Sequence, residues 1–136
     1  MTERSEQGRD AIPPEVAERV SVLSAELLEC ADAMVALLNE HGESKWADNF
    51  ARLAGRMRDA TTQTERRDAV QYLRSFFGGM GSWNDFYLTA LGEAEAERES
   101  LTGQLSRTGH ELFELVTAHP DPPKPGFFAR LFGRKG

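Results

Sequence analysis

Along the first third of the chain apolar residues return every three or four positions: Val16, Val20, Leu23, Leu27, Ala31, Met34 and Leu38. That spacing places them on one stripe of a helix. Pro14 suits the first turn, where a missing N–H costs nothing, and Gly42 suits the left-handed position beyond the last turn. The pattern predicts a first helix over about residues 14–40. A second follows at once, with Ser44 as its cap and Trp46, Phe50, Leu53 and Met57 on one face. The run "DATTQ", Asp59 to Gln63, breaks it. Thr64 is then placed to cap a third helix, with Ala69, Val70, Leu73, Phe76 and Phe77 as its apolar face. Glu65 lies near the positive end of that helix, a favourable place for a carboxylate.

The third helix runs into "FFGGMGSWND", the least ordinary stretch of the chain. Gly78, Gly79 and Gly81 permit left-handed backbone, so a glycine at the helix end satisfies carbonyls without a Cβ penalty. Ser82 and Asp85 stand at capping-box spacing for a following helix. A stop, a turn and a restart account for the whole stretch. Two sharper readings stand beside that one. A glycine-rich turn before a helix can cradle an anion, but the phosphate-loop lysine is missing, and a helix rather than a strand precedes. Protein recognition is the other, with Trp83, Asn84, Asp85 and Tyr87 partly exposed around the turn.

Beyond the corner the chain reads as helical to about His119, with Leu101, Leu105, Thr108, Leu112 and Leu115 on one stripe. Gly92 is a point where this segment can divide, and Gly103 and Gly109 weaken it. No window alternates with period two, so the expected fold is all-α: an irregular antiparallel bundle of about four main helices with a glycine-rich corner. Residues 1–12 read as a flexible N-terminal arm, 13–119 as the helical domain, 120–126 as a proline-rich linker and 127–136 as a basic-aromatic tail.

Composition narrows the class. The chain has 136 residues, 40% hydrophobic and 28% charged, which suits one soluble domain with a real core. No apolar run approaches the ~20 residues of a membrane span, and the charged start lacks the apolar stretch of a secretory leader. A cytoplasmic protein is expected. The net charge is −6, and it is unevenly spread. Residues 1–118 carry −9 and residues 119–136 carry +3. An acidic body is the wrong footprint for nucleic acid, so no nucleic-acid partner is expected.

The run "FFGGMGSWNDFYL", with the upstream "LLNEHGESKWADNFARL", resembles a family of small uncharacterised bacterial helical proteins. The resemblance covers about residues 20–90. It singles out Gly42, Trp46, Gly78, Gly79, Met80, Gly81, Ser82, Asn84 and Asp85 as signature positions and implies an accessory or immunity-type role, without an assigned chemistry.

Catalytic and metal chemistry find little to stand on. His41, His110 and His119 are scattered and lack the spacing of a zinc helix. The single cysteine, Cys30, falls beside the apolar stripe of the first helix, where a thiol is buried and inert. Glu93, Glu95, Glu97 and Glu99 alternate around a helix start and read as a solvated face. Arg52, Arg56, Arg66, Arg67 and Arg74 read as answering the acids of the first helix and solvating exposed faces, with an acidic partner as the alternative. No catalytic residue, metal or cofactor is expected.

The tail differs. If helical, Phe127, Phe128, Leu131 and Phe132 make one apolar face among Lys124, Arg130, Arg134 and Lys135. Such a segment can dock in a partner's groove, rest weakly on an anionic membrane surface, or fold back on its own bundle. The function expected from the sequence is a non-enzymatic protein-interaction module with an unidentified protein partner. Its candidate contacts are Trp46, Gly79, Met80, Ser82, Trp83, Asn84 and Asp85 at the corner, and Phe128, Leu131 and Phe132 in the tail. The alternative is a small ligand binder or enzyme with Trp46, Asn84 and Asp85 lining a pocket. The oligomeric state has no signature in the sequence.

Overall fold

The computed structural model describes residues 11–78, 81–83 and 92–123. Four helices make up the fold: α1 (Pro14–Glu40), α2 (Ser44–Asp59), α3 (Gln63–Arg74) and α4 (Gly92–Ala118). Among the described residues there is no strand. The expected all-α bundle is the fold observed.

The helices run up and down. Arg19 of α1 pairs with Glu111 of α4 and Cys30 meets Leu101, so these two are antiparallel. Val70 and Leu73 of α3 approach Gly109 of α4, while Gln63 reaches His119, so that pair is antiparallel too. α1 packs on α2 and α4, and α3 packs on α4 and, less extensively, on α2. The core is the expected stripe of α1 (Val20, Leu23, Leu27, Ala31, Met34 and Leu38) meeting Phe50 and Leu53, Val70 and Leu73, and Leu105 and Leu112. Thr108 is buried on the same face of α4.

The helix ends show where local reading succeeds and where it fails. Pro14 is the first residue of α1, and Gly42 follows its end with φ +73°, as expected. Ser44 is not a cap: it is the first helical residue of α2, and Glu43, before it, makes no side-chain capping bond. Thr64 is not the cap of α3 either. Thr62 is, and its hydroxyl accepts from Glu65 N at 3.0 Å while the Glu65 carboxylate accepts from Thr62 N at 3.3 Å. α4 runs unbroken through Gly103 and Gly109. Gly109 is there because α3 comes close: a Cβ at that position would lie 3.1 Å from Leu73 Cδ2.

Two surface expectations also change. Glu95 does not belong to a solvated face, because it is half-buried against Arg98. Of the five arginines, Arg52, Arg56, Arg67 and Arg74 are exposed as expected, but Arg56 lies over the Tyr72 ring and Arg74 over the Phe113 ring rather than against α1. Asp32 of α1 pairs with Arg58.

Candidate functional site

One end of the bundle gathers the turn after α1, the start of α2, the corner after α3 and the first turns of α4. The corner begins where Ser75 and Phe76 continue the last turn of α3 through bonds to Tyr72 and Leu73 carbonyls. Gly78 then takes φ +96° and Gly81 φ +79°, backbone that an L side chain rarely adopts. The chain folds back far enough for Trp83 N to donate to Phe76 O at 2.7 Å. The expected left-handed stop at the corner is present, at Gly78.

The sharp return drives Trp83 into the protein. It is 1% exposed, not partly exposed as the sequence suggested. Its ring sits 4.8 Å from Phe50 and 5.0 Å from Trp46, both edge-on, and Trp46 also meets Phe76 at 5.6 Å. Edge-to-face contacts at these separations are the favourable geometry for rings with negative faces and positive edges. Phe76 is itself buried against Phe50 and Tyr72. Trp46 is half-buried, so it forms the solvent-side edge of this aromatic cluster.

A charged layer from α4 also packs against Trp83. The Arg98 guanidinium stands 5.0 Å from the Trp83 ring centre. It forms a two-point pair with Glu95, Nε to Oε1 at 2.9 Å and Nη2 to Oε2 at 2.6 Å. The Arg98 side chain is 8% exposed and that of Glu95 23%. Thr102 completes the layer, accepting from Trp83 Nε1 at 2.9 Å and donating to the Arg98 carbonyl at 2.7 Å. Arg98 and Thr102 were not anticipated. The only signal was their i,i+4 spacing within "ERESLT", which reads equally well as an ordinary exposed face.

Of the expected contacts, the structure therefore joins Trp46 and Trp83 directly and places half-buried Ser82 beside them. Gly79, Met80, Asn84, Asp85 and Tyr87 lie outside the described residues, as do Phe128, Leu131 and Phe132. The helix that Ser82 was expected to cap lies outside them as well.

A second polar cluster occupies the opposite end of α3. The Asp121 carboxylate accepts from Gln63 N at 2.7 Å and from Thr64 N and Oγ1, each at 3.0 Å. Gln63, itself buried, donates to the His119 carbonyl at 2.9 Å. Thr64 thus serves the linker rather than its own helix. Burial pushes the Asp121 carboxyl up, but the bonds from Gln63 and Thr64 and the charge of Arg66 outweigh it and hold it below its ordinary value. At about 1.5 Å per residue, the 12-residue α3 holds these two clusters roughly 18 Å apart. They are separate sites.

Other reactive groups are quiet. Burial pushes the Cys30 thiol up to about 11 against the lowering effect of Arg107, and its Sγ donates to the Leu101 carbonyl at 3.4 Å. A thiol so held is not ionised at neutral pH. His110 pairs with Glu114 on the open surface. Among the described residues no group of three His, Cys, Asp or Glu side chains is placed to hold a metal ion, and no helix is long and apolar enough to cross a membrane.

No curated protein and no solved structure matches the chain. Residues 39–95, the stretch that carries α2, α3, the corner and the first residues of α4, match the model of a domain of unknown function (DUF6966), so the family likeness falls on the part of the chain that builds the aromatic end of the bundle.

Proposed function

We propose that this protein is a small ligand-binding protein whose site is the glycine corner and the aromatic and charged layers beneath it. The observation that carries the reading is the Arg98–Glu95 pair, sunk against Trp83 at the end of the bundle where the α1–α2 turn and the glycine corner meet. Taking a guanidinium and a carboxylate out of water costs several kcal/mol per ion, and well-packed apolar residues of like volume usually serve stability as well or better. A charged pair held on an aromatic wall has a use in fixing the orientation of a polar ligand, since binding sites combine apolar walls with a few placed polar groups. Trp46 supplies the solvent-side edge of that wall. Asn84 and Asp85 follow Trp83 directly in the chain.

The protein carries its own probe. Its only two tryptophans are Trp46 and Trp83, both in this cluster, so intrinsic emission reports on the site alone. A panel of small polar and aromatic metabolites is screened by tryptophan emission and by melting temperature. The reading requires at least one compound that shifts both, with the response lost in Asn84→Ala/Asp85→Ala while the unliganded melting temperature is kept. A panel without response, together with a partner protein whose binding depends on Trp46, supports the interaction-module reading instead.

A further inference from the structure

The described part of the linker shows in which direction the chain is led after α4. Thirteen residues, 124–136, follow Pro123. The linker does not leave the bundle at the end of α4, because Asp121 ties it across the start of α3. Pro122 and Pro123 lie beside Ala11 and Ile12, which places the linker across the end face formed by the starts of α1 and α3 and the end of α4. The end of α2 completes that face.

Two grooves flank α3. The one toward α4, about 210 Å³, has an apolar floor of Val70, Leu73 and Phe77 but is rimmed by Arg74 and His110. The one toward α2, about 260 Å³, has Ala60 and Ala69 within it and Asp59, Glu65 and Asp68 around them, against one cation, Arg56. Residues 127–136 carry Arg130, Arg134 and Lys135 and no acid. The second groove, with three carboxylates to one guanidinium, is the one whose charge complements that segment. Reach is sufficient: the seven residues from Asp121 to Phe128 span at most about 25 Å, and neighbouring helices of a bundle lie only about 8–10 Å apart.

We propose that residues 127–136 dock in cis in the α2–α3 groove, with an aromatic side chain against half-buried Ala60 and basic ones against Asp59, Glu65 and Asp68. Asp121 acts as the tether that delivers the segment there. The inference is independent of the ligand site, which lies at the other end of α3.

The test uses the full-length chain at low salt. Carbodiimide coupling joins amines to carboxylates in contact, and the lysine outside the tail region, Lys45, lies in the first turn of α2, far from this groove. Docking predicts cross-links from Lys124 or Lys135 to Asp59, Glu65 or Asp68, in a yield independent of protein concentration. It also predicts tryptic cleavage after Arg130 that is at least about fivefold slower in the wild type than in Asp59→Asn/Asp68→Asn, a gap that closes in 1 M salt, where the screening length is ~3 Å. Both aspartates are exposed, so this variant keeps its core. Phe128→Ala/Phe132→Ala should be cut as fast as the charge variant. Equal rates in all three proteins overturn the proposal. Cross-links that grow with concentration overturn it in favour of docking between two copies. Protection that appears only with phosphatidylserine vesicles overturns it in favour of a membrane surface.

Discussion

Gly78 shows how one residue sets the geometry of the corner. A Cβ there would meet nothing within 4 Å, so steric crowding is not the reason for glycine; the φ of +96° is. Gly78→Ala should therefore cost about 1 kcal/mol or more through backbone strain alone, and urea melts measure it. A loss of under a few tenths would mean that the turn relaxes to ordinary backbone. The residues beneath it were less legible. Trp83 was visible as an aromatic at a corner, but nothing local tells a recognition aromatic from a core aromatic. Its burial depends on Trp46 and Phe50, more than thirty residues upstream. Arg98 was hidden for the same reason, since its guanidinium stands against the ring of Trp83, a residue of the corner.

Among the elements, α3 depends most on distant parts of the chain. It takes two carboxylates at its positive end, Glu65 from within and Asp121 from the linker. Hydrogen bonds from Thr61 and Thr62 hold the Glu65 carboxyl below its ordinary value, and Asp121 is lowered as well. A carboxylate whose folded pKa is depressed stabilises the protein above its unfolded pKa and loses that contribution as pH falls. The loss should begin near pH 5 and deepen toward the lowered folded values. Asp121→Asn should lower the urea midpoint at pH 7, and its gap from the wild type should narrow steadily as pH falls to 3. A gap that stays constant would show that the charge of Asp121 contributes nothing to α3. Thr62→Ala should cost ~1 kcal/mol at pH 7 by removing the cap, whereas Thr64→Ala should leave the capping box intact. The choice of Thr62 over Thr64 was beyond local reading, because the group that claims the Thr64 hydroxyl lies 57 residues away.

At the scale of the whole molecule, the period of the apolar residues carried most of the fold. α1 was legible almost to the residue because its stripe, its proline and its glycine agree with one another. Leu27 is fully buried at the centre of that stripe, and Leu27→Ala should cost ~2–5 kcal/mol in urea melts; a loss below half a kilocalorie would remove this face from the core. What the periodicity did not carry is the placement of charge. Burying Arg98 and docking Asp121 both require contacts between segments that have no common pattern in the sequence. If the Arg98–Glu95 pair serves binding rather than stability, as proposed, replacing both partners with apolar residues separates the two. Tryptophan emission and melting temperature should be followed for wild type and for Glu95→Leu/Arg98→Met against the same metabolite panel. The account predicts a variant that melts at or above the wild-type temperature, since such replacements are often neutral or stabilising by ~1–4 kcal/mol, and that no longer responds to the compound the wild type binds. A variant that melts well below the wild type, or that binds the compound equally well, would contradict it.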